Sequence, residues 1–309
     1  KLEMEQLMLA QVSDFHPDLK TAAERLFASG GKRLRPKLIL LIGRILEADP
    51  QSLFTLAASI EMLHTATLVH DDFIDGSILR RGIPTLNSRW SPAATVLTGD
   101  FLFASASSLA AKTNSIKVMN LFSRTLMTIV NGEVNQLLVH RQSVEVKHYF
   151  HRIYAKTASL FETATQSAAM ISCSDLNQIE VLREFGYSLG MAFQIVDDIL
   201  DYTANEQLLG KPVGGDLRQG LITLPILYYI QSNPNEFSVQ KVINGQKIEN
   251  EDEIMHLISK VNSSGAIQQT QKQAESFVSQ AEMCLAQLPA RPERDLLFEI
   301  SRFINKRQH

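Results

Sequence analysis

The feature that most constrains the fold is the return of apolar residues every three or four positions over long stretches of the chain. One stripe runs through Leu56, Ile60 and Leu63. A longer stripe is formed by Val118, Leu121, Phe122, Leu126 and Ile129. This spacing is that of one face of an α-helix, whereas no segment keeps the two-residue alternation of a strand. Helix breakers are few, with 15 glycines and 10 prolines in 309 residues, so the sequence predicts an all-α fold.

Turn-forming residues divide the chain into helices with short connections. They cluster at 29–31, 82–92, 112–115, 172–175, 203–220, 232–236 and 288–293. Short connections between long helices are typical of antiparallel bundles. The sequence contains neither a low-complexity linker nor a fixed-period repeat, so we expect one domain over 1–309. The more polar stretch after about residue 233 is expected to form amphipathic helices on the outside of the bundle.

Charge and composition exclude several classes of protein. Lys and Arg total 30 against 33 Asp and Glu, a net charge of −3, so no global basic field favours nucleic acid. The longest clean apolar run, Leu38–Ile42, is far shorter than the roughly 20 residues that span a bilayer. The first ten residues carry no signal core or transit pattern, and Cys173 and Cys284 fit no disulfide or zinc spacing. We predict a cytoplasmic protein without a transmembrane segment.

Two clusters of aspartates share one spacing. His70-Asp71-Asp72-Phe73-Ile74-Asp75 ends a helix expected to begin near Thr55, and Val196-Asp197-Asp198-Ile199-Leu200-Asp201 lies in a second apolar helix. The outer aspartates of each cluster are four apart, so they project from one helix face about 6 Å apart along the axis. A single cluster of this kind is as often a solvated acidic helix end as a metal site. Two copies in apolar helices indicate hard divalent cations, Mg²⁺ or Mn²⁺, and hence a diphosphate ligand.

Basic residues stand close to these clusters along the chain. Gly30 to Lys37 reads GGKRLRPK at a helix start, where glycines and the helix N-terminus favour an anion, although the P-loop pattern is absent. The other candidates are Arg80 and Arg81, Lys156 beside Thr157, and Lys211. Each alone is more often a solvated surface charge, but their placement favours anion binding. His64 and Gln194 lie two helical turns before Asp71 and Asp201, although a lone histidine on an apolar stripe is usually a core residue.

With GGKRLRP, HDDFIDGSILRRG and FQIVDDILDYT in this order, the chain resembles the trans-isoprenyl diphosphate synthases, most of all the medium- and long-chain polyprenyl diphosphate synthases. The resemblance runs from about residue 20 to the C-terminus. It implies an all-α bundle of antiparallel helices around a deep central cavity. It also implies a homodimer with a peripheral membrane contact for release of the product. The implied activity joins isopentenyl diphosphate to an allylic diphosphate through an allylic carbocation.

The resemblance also assigns roles to matching residues. Two Mg²⁺ would be held by Asp71 and Asp75, and a third by Asp197 together with Asp201, with Mn²⁺ as the alternative ion. The allylic diphosphate would be bound by Arg80, Lys156 and Lys211. Isopentenyl diphosphate would be bound by Lys32, Arg35, His64 and Arg81. The reaction centre would be lined by Thr157 and Gln194.

Ala66 and Thr67 are the fifth and fourth residues before the first aspartate, where short-chain members of the family tend to carry aromatic side chains. Thr67 lies about 40° from Asp71 on a helical wheel. The small pair predicts an open tunnel and a medium- to long-chain all-trans product. The alternative interpretation is plain helix packing of small residues, which would leave a farnesyl- or geranylgeranyl-length product.

Three rival functions differ in the residues that they need. A class I terpene cyclase would share the fold and metal chemistry but has no use for the second-substrate residues. A metal phosphohydrolase built on His64, His70 and Asp71 would leave Asp197 and Asp201 unexplained. A non-enzymatic regulatory subunit would be expected to have lost motif carboxylates, and this chain has kept them. The sequence therefore favours an active synthase.

Overall fold

The structure is a computed structural model that describes residues 2–28, 31–80, 82–138, 144–172, 175–203, 213–244, 246, 248 and 250–306. Helices make up nearly all of its regular structure. The first group comprises α1 Leu2–Ala10, α2 Pro17–Ala28, α3 Leu34–Ile45, α4 Pro50–Ile74, α5 Pro92–Ala111, α6 Ile116–Leu138 and α7 Val146–Ile153. A π-helical turn, Tyr154–Ala158, leads into α8 Ser159–Ser172 and α9 Leu176–Thr203. The remaining helices are α10 Gly215–Arg218, α11 Leu224–Ser232, α12 Phe237–Ile243, α13 Glu251–Ser263, α14 Ala266–Leu285 and α15 Pro292–Lys306.

The predicted helix ends agree with this list at most connections. Helix α5 ends at Ala111 and α6 begins at Ile116, as the break at 112–115 predicts, and α11 ends at Ser232. One short hairpin pairs β1 Leu79–Arg80 with β2 Ile83–Pro84 between α4 and α5, and its first strand precedes the predicted break at 82–92. Strands of two residues are too short to produce a sequence period. The all-α prediction is therefore confirmed.

The chain divides into two compact units. The first comprises residues 1–124, 163–183 and 288–294, and the second comprises 125–162, 184–287 and 295–309. The expected single domain over 1–309 stays a prediction.

Helix α4 forms the core of the first unit. It begins at Pro50, five residues before the expected Thr55, because the Asp49 carboxylate accepts the Ser52 backbone N–H at 2.8 Å and caps the helix. Helices α3 and α5 pack against it. The hydroxyl of Ser59 donates to the Ala106 backbone oxygen of α5 at 2.8 Å. Most side chains of α4 from Leu53 to Val69 are buried.

The second unit places its fully buried side chains on several helices. They include Tyr149, Phe185, Leu189, Leu227, Leu257 and Leu285. Surface ion pairs connect its outer helices, such as Lys241 with Glu253 at 2.8 Å. The helices after residue 233 are amphipathic, since each carries buried apolar side chains along one stripe.

Two helices meet the length and hydropathy of a membrane span. They are Pro50–Ile74, with mean hydropathy 1.3, and Pro92–Ala111, with 1.2. In the first, 72% of the apolar window is buried inside the structure, as in the core helix of a soluble domain. The sequence analysis counted neither helix as a candidate span, because isolated polar residues interrupt the apolar run of each. The cytoplasmic location stays a prediction.

Candidate active site

The first aspartate cluster lies at the C-terminal end of α4. Asp71 is half-buried, and Asp75 occupies the exposed C-cap position, where its N–H donates to the Asp71 backbone oxygen at 2.8 Å. The middle residue, Asp72, is buried and accepts the Nε–H of Arg80 on both carboxylate oxygens, at 2.8 and 2.9 Å. The guanidinium thus compensates one carboxylate of the cluster. Arg80 is in turn held over the helix end that carries Asp71 and Asp75.

His70 fixes the last turn of α4 against α5. Its Nε2 lies 3.2 Å from the Val96 backbone oxygen and 3.5 Å from Oδ1 of Asp100. A Cβ at Gly99 would come within 2.2 Å of the same nitrogen. The ring therefore packs directly against Gly99, and a side chain at that position would have to displace it.

The residues predicted to bind isopentenyl diphosphate lie on α3, on the segment before it and on α4. Lys32 is exposed, whereas Arg35 and His64 are half-buried. Arg33, between the two predicted cations, instead forms an ion pair with Glu61 of α4. Arg81 lies outside the described residues.

The two predicted chain-length residues differ in exposure. Ala66 has no exposed surface. Thr67 is half-buried, and its hydroxyl donates to the His64 backbone oxygen at 2.8 Å. Their role in limiting the product stays a prediction.

The second aspartate cluster has different partners. Asp198 is buried and accepts hydrogen bonds from the Tyr149 hydroxyl at 2.7 Å and from the Gln194 amide at 2.8 Å. Gln194 Oε1 in turn accepts the Thr157 hydroxyl at 2.6 Å. The two residues expected at the reaction centre, Thr157 and Gln194, are therefore in direct contact. Through these hydrogen bonds they connect to the carboxylate of Asp198, the residue that follows Asp197 in the sequence.

Asp201 is oriented by backbone amides. Its two carboxylate oxygens accept the N–H groups of Gly215 at 3.0 Å and Asp216 at 3.1 Å. Its backbone oxygen accepts the N–H of Gly214, a residue with φ of +78°. Lys211, predicted from the same stretch, lies outside the described residues.

The π-helical turn presents Lys156 and Thr157. Such turns are rare and frequently occur at functional sites. A Cβ at Gly132 would lie 2.5 Å from Ala155 Cβ, and one at Gly190 would lie 2.6 Å from Ala158 Cα. The turn is thus held closely between α6 and α9. Lys156 Nζ lies 2.9 Å from Glu133 Oε1 of α6.

Two buried carboxyl groups at the second cluster, those of Asp198 and Asp216, have raised pKa values. Burial raises the pKa of Asp198 to about 7, and the hydrogen bonds from Gln194 and Tyr149 only partly oppose it. Burial, followed by the charges of Asp201 and Asp198, raises the pKa of Asp216 to about 8. The same desolvation, with the Asp198 charge second, raises the pKa of the Tyr149 hydroxyl well above its usual value. Added positive charge would stabilise the ionised form of this cluster.

The donor set fits a hard cation that retains open coordination positions. Among the described residues, no three Asp, Glu, His or Cys side chains form a cage for a metal ion. Mg²⁺ commonly takes one or two carboxylates and completes its shell with water and phosphate oxygens. A pair of carboxylates on one helix turn, as at Asp71 and Asp75 or Asp197 and Asp201, is of this kind.

Sequence reasoning missed several residues of the site. Glu133 pairs with Lys156, and the Asp216 N–H donates to Asp201. The middle aspartates bind predicted residues, Asp72 pairing with Arg80 and Asp198 accepting from Gln194, and Asp198 also accepts from Tyr149. Tyr149 lies about two helical turns before Lys156, which is a weak signal at most. The partnership of Asp72 with Arg80 follows only from the hairpin that returns Arg80 to the helix end.

The fold and the two acidic helix segments define an isoprenoid-type synthase, and the chain belongs to the polyprenyl synthetase family. The family model, described as Polyprenyl synthetase, matches residues 16–261. The trans-polyprenyl diphosphate synthase class predicted from the motifs is confirmed, and with it the prenyltransferase class of enzyme.

Individual relatives cover nearly the whole chain. Heptaprenyl diphosphate synthase component 2 of Bacillus subtilis (strain 168) is 36% identical over 294 residues, covering 95% of this chain and 84% of that protein. A polyprenyl synthase from Caulobacter crescentus CB15, crystallised with calcium and isoprenyl diphosphate, has a TM-score of 0.92 and 37% identity, covering 99% and 94%. A decaprenyl diphosphate synthase from Rhodobacter capsulatus has a TM-score of 0.92 and 32% identity, covering 100% and 96%. Divalent metal binding and isoprenoid diphosphate substrates accordingly belong to the family.

Proposed function

We propose that this enzyme condenses isopentenyl diphosphate with an allylic diphosphate to make a medium- to long-chain all-trans polyprenyl diphosphate. The observation that carries the proposal is the polar chain from Thr157 through Gln194 to Asp198, next to Asp197. It supplies oriented oxygen atoms beside a carboxylate suited to a metal. The names of the heptaprenyl and decaprenyl relatives support the product class.

The cations and carboxylates divide between the two substrates. Two Mg²⁺ ions would be held by Asp71 and Asp75, and a third by Asp197 with Asp201, with Mn²⁺ as the alternative ion. These ions would stabilise the charge that develops on the departing diphosphate. Arg80, Lys156 and Lys211 bind the same allylic diphosphate. Lys32, Arg35, His64 and Arg81 bind the diphosphate of isopentenyl diphosphate.

The reaction needs no side-chain nucleophile. The allylic carbon–oxygen bond breaks and its electron pair leaves with the diphosphate, which leaves an allylic carbocation. The double bond of isopentenyl diphosphate attacks this cation and forms the new carbon–carbon bond. Loss of a proton, with the released diphosphate as acceptor, restores the double bond. The hydroxyl of Thr157 and the amide oxygen of Gln194 stabilise the cation, and apolar side chains exclude the water that would quench it.

The test is a product assay with labelled isopentenyl diphosphate, farnesyl diphosphate and Mg²⁺, in which chain lengths are resolved after dephosphorylation. We expect a ladder that ends well beyond the geranylgeranyl length. A ladder that ends at farnesyl or geranylgeranyl would retain the chemistry and contradict the product length. Cyclic or hydrolysed products without elongation would indicate a terpene cyclase instead.

The chain-length proposal is sharpened by two neighbouring variants. Thr67→Phe places an aromatic ring at a half-buried position, and we expect shorter products with an intact fold. Ala66→Phe is expected to shorten products as well, but at a cost of about 1–3 kcal/mol because that position has no exposed surface. Unchanged products from both variants would show that this stretch of α4 does not limit the chain.

We further propose that the active enzyme is a homodimer. Helix α6 exposes a stripe of large apolar side chains at Met127, Val130, Val134, Leu137 and Leu138. The spacing of these residues gives one helix face, and an exposed apolar face of this extent is typical of an interface. Light scattering should give a dimer for the wild type and a monomer for Val134→Glu. Because one relative is named component 2, a purified chain that is inactive alone would instead indicate a second subunit. A separate proposal is that the enzyme contacts a membrane peripherally when it releases its product.

A further inference from the structure

Arg33 and Glu61 form a buried ion pair in the first unit. Their side chains are only 10% and 7% exposed. The Arg33 guanidinium donates to Glu61 and, through its other terminal nitrogen, to the Phe27 backbone oxygen at 2.5 Å. Removing two charges from water costs several kcal/mol that their attraction only partly offsets. Stability alone is therefore a weak reason to keep such a pair.

The backbone at Arg33 is held in an unfavourable conformation. Its φ of 47° and ψ of 45° lie in the left-handed region, which costs an L-residue other than glycine roughly 1 kcal/mol or more. Arg33 is also the residue before the first turn of α3, where its backbone oxygen accepts the N–H of Lys37 at 3.2 Å. The two bonds of its guanidinium thus anchor a strained junction that sets the direction in which α3 starts.

This junction lies between two residues proposed to bind isopentenyl diphosphate. Lys32 directly precedes Arg33 and Arg35 follows it by two positions. The other half of the pair, Glu61, lies on α4 three residues before His64, which is one helical turn away. The ion pair therefore connects the segment that carries Lys32 and Arg35 to the helix that carries His64.

We propose that Arg33 and Glu61 are positioning residues that hold Lys32 and Arg35 in register with His64 for the diphosphate of isopentenyl diphosphate. The inference rests on the proposed function of these three residues. Arg33 itself contributes no charge to the substrate, because its guanidinium is committed to Glu61 and Phe27. Loss of the pair should therefore affect isopentenyl diphosphate and leave the allylic diphosphate unaffected.

The test compares Glu61→Gln with a matched control, Glu47→Gln. Glu47 pairs with an arginine of the same unit, Arg291, and one member of this pair again has a positive φ, Glu47 itself at 58°. The Glu47 side chain, however, is 73% exposed. For Glu61→Gln we expect the KM for isopentenyl diphosphate to rise about tenfold, since small misplacements of binding groups are costly. The KM for the allylic diphosphate and kcat should stay within about twofold. Glu47→Gln should change none of the three constants.

Two outcomes overturn the proposal. One is a Glu61→Gln enzyme with both KM values unchanged. The other is an equal change in both KM values together with a lower melting temperature, as expected for a purely structural pair. If Glu61→Gln does not fold, Arg33→Lys decides the matter, because the ammonium retains the charge but cannot bridge both Glu61 and Phe27. A rise confined to the KM for isopentenyl diphosphate supports the proposal, and its absence rejects it. A wild-type enzyme without elongation activity would instead refute the proposed function.

Discussion

The two aspartate clusters have the same spacing in sequence, but the middle carboxylates, Asp72 and Asp198, have partners of different charge. In the first unit, Asp72 is paired with the guanidinium of Arg80 on both oxygens. In the second, Asp198 is buried among neutral donors, the Tyr149 hydroxyl and the Gln194 amide. A guanidinium favours the ionised carboxylate, whereas burial among neutral groups raises the pKa of Asp198 to about 7.

The difference shows that the same spacing of aspartates can occur in two different structural environments. The first cluster ends at an exposed helix terminus and depends on an ion pair formed across a hairpin. The second lies within a longer helix, and its outer residue, Asp201, is held by two backbone N–H groups. We therefore expect the first cluster to tolerate changes in backbone packing better and changes in charge less well.

The largest expected effect concerns the outer aspartates, which the two clusters share. Asp71→Ala and Asp197→Ala should each lower turnover by at least about 10²-fold, because each removes stabilisation of charge that develops in the transition state. Steady-state assays with labelled isopentenyl diphosphate measure the loss, and circular dichroism checks that the fold is intact. Near-normal turnover in Asp197→Ala would mean that the second cluster is not part of the metal site.

Substitution of the two middle aspartates should lower the free energy of unfolding by different amounts. Asp72→Asn removes a charge-assisted pair and should lower the free energy of unfolding by about 2 kcal/mol. Asp198→Asn should cost less than about 1 kcal/mol, since the Gln194 amide and the Thr157 hydroxyl can exchange donor and acceptor roles. Urea titration in the presence of a chelator measures both, with the exposed Asp295→Asn as control. Equal losses would break the distinction between the two neighbourhoods.

Glycine substitutions test the packing behind each cluster. Gly190→Ala should destabilise by about 1–3 kcal/mol, because its new Cβ would lie 2.6 Å from the Ala158 backbone at the π-helical turn. Gly99→Ala should cost less, because the atom it meets belongs to the His70 side chain, which can rotate. Thermal unfolding provides the comparison. A larger cost at Gly99 would show that His70 is as firmly fixed as the backbone.

The smallest effect is the contribution of Asp198 to the pH dependence of stability. A carboxyl with a higher pKa in the folded than in the unfolded chain stabilises the fold at low pH, and this contribution is lost as the pH rises through the folded value. With its pKa of about 7, Asp198 should make the metal-free wild type about 1 kcal/mol less stable at pH 8 than at pH 6. Asp198→Asn should remove this contribution, whereas Asp216, whose pKa is raised to about 8, should supply the larger part of the slope that stays in the variant. Denaturation in chelator at both pH values measures it, and an unchanged slope in Asp198→Asn would contradict the assignment.

Much of the fold was predictable from local pattern. The breaks at 112–115 and 232–236 fall where helices end, because turn-forming residues and apolar periodicity act within a few positions. The start of α4 was placed five residues late because the apolar stripe begins only after its first turn, although the Asp49 cap and Pro50 at the first helical position mark the start. The hairpin at Leu79–Pro84 was missed, since strands of two residues carry no period.

By itself, the sequence determined the helical class and the family. It also determined that Asp71 with Asp75, and Asp197 with Asp201, stand four residues apart near the ends of apolar helices, because helical spacing is a property of near neighbours. Only the tertiary structure decided which charges are compensated and by what. The pair of Arg33 with Glu61 spans 28 positions, and the bond from Tyr149 to Asp198 spans 49. Such partners meet only when whole helices have packed, and burial then raises the pKa of Asp198.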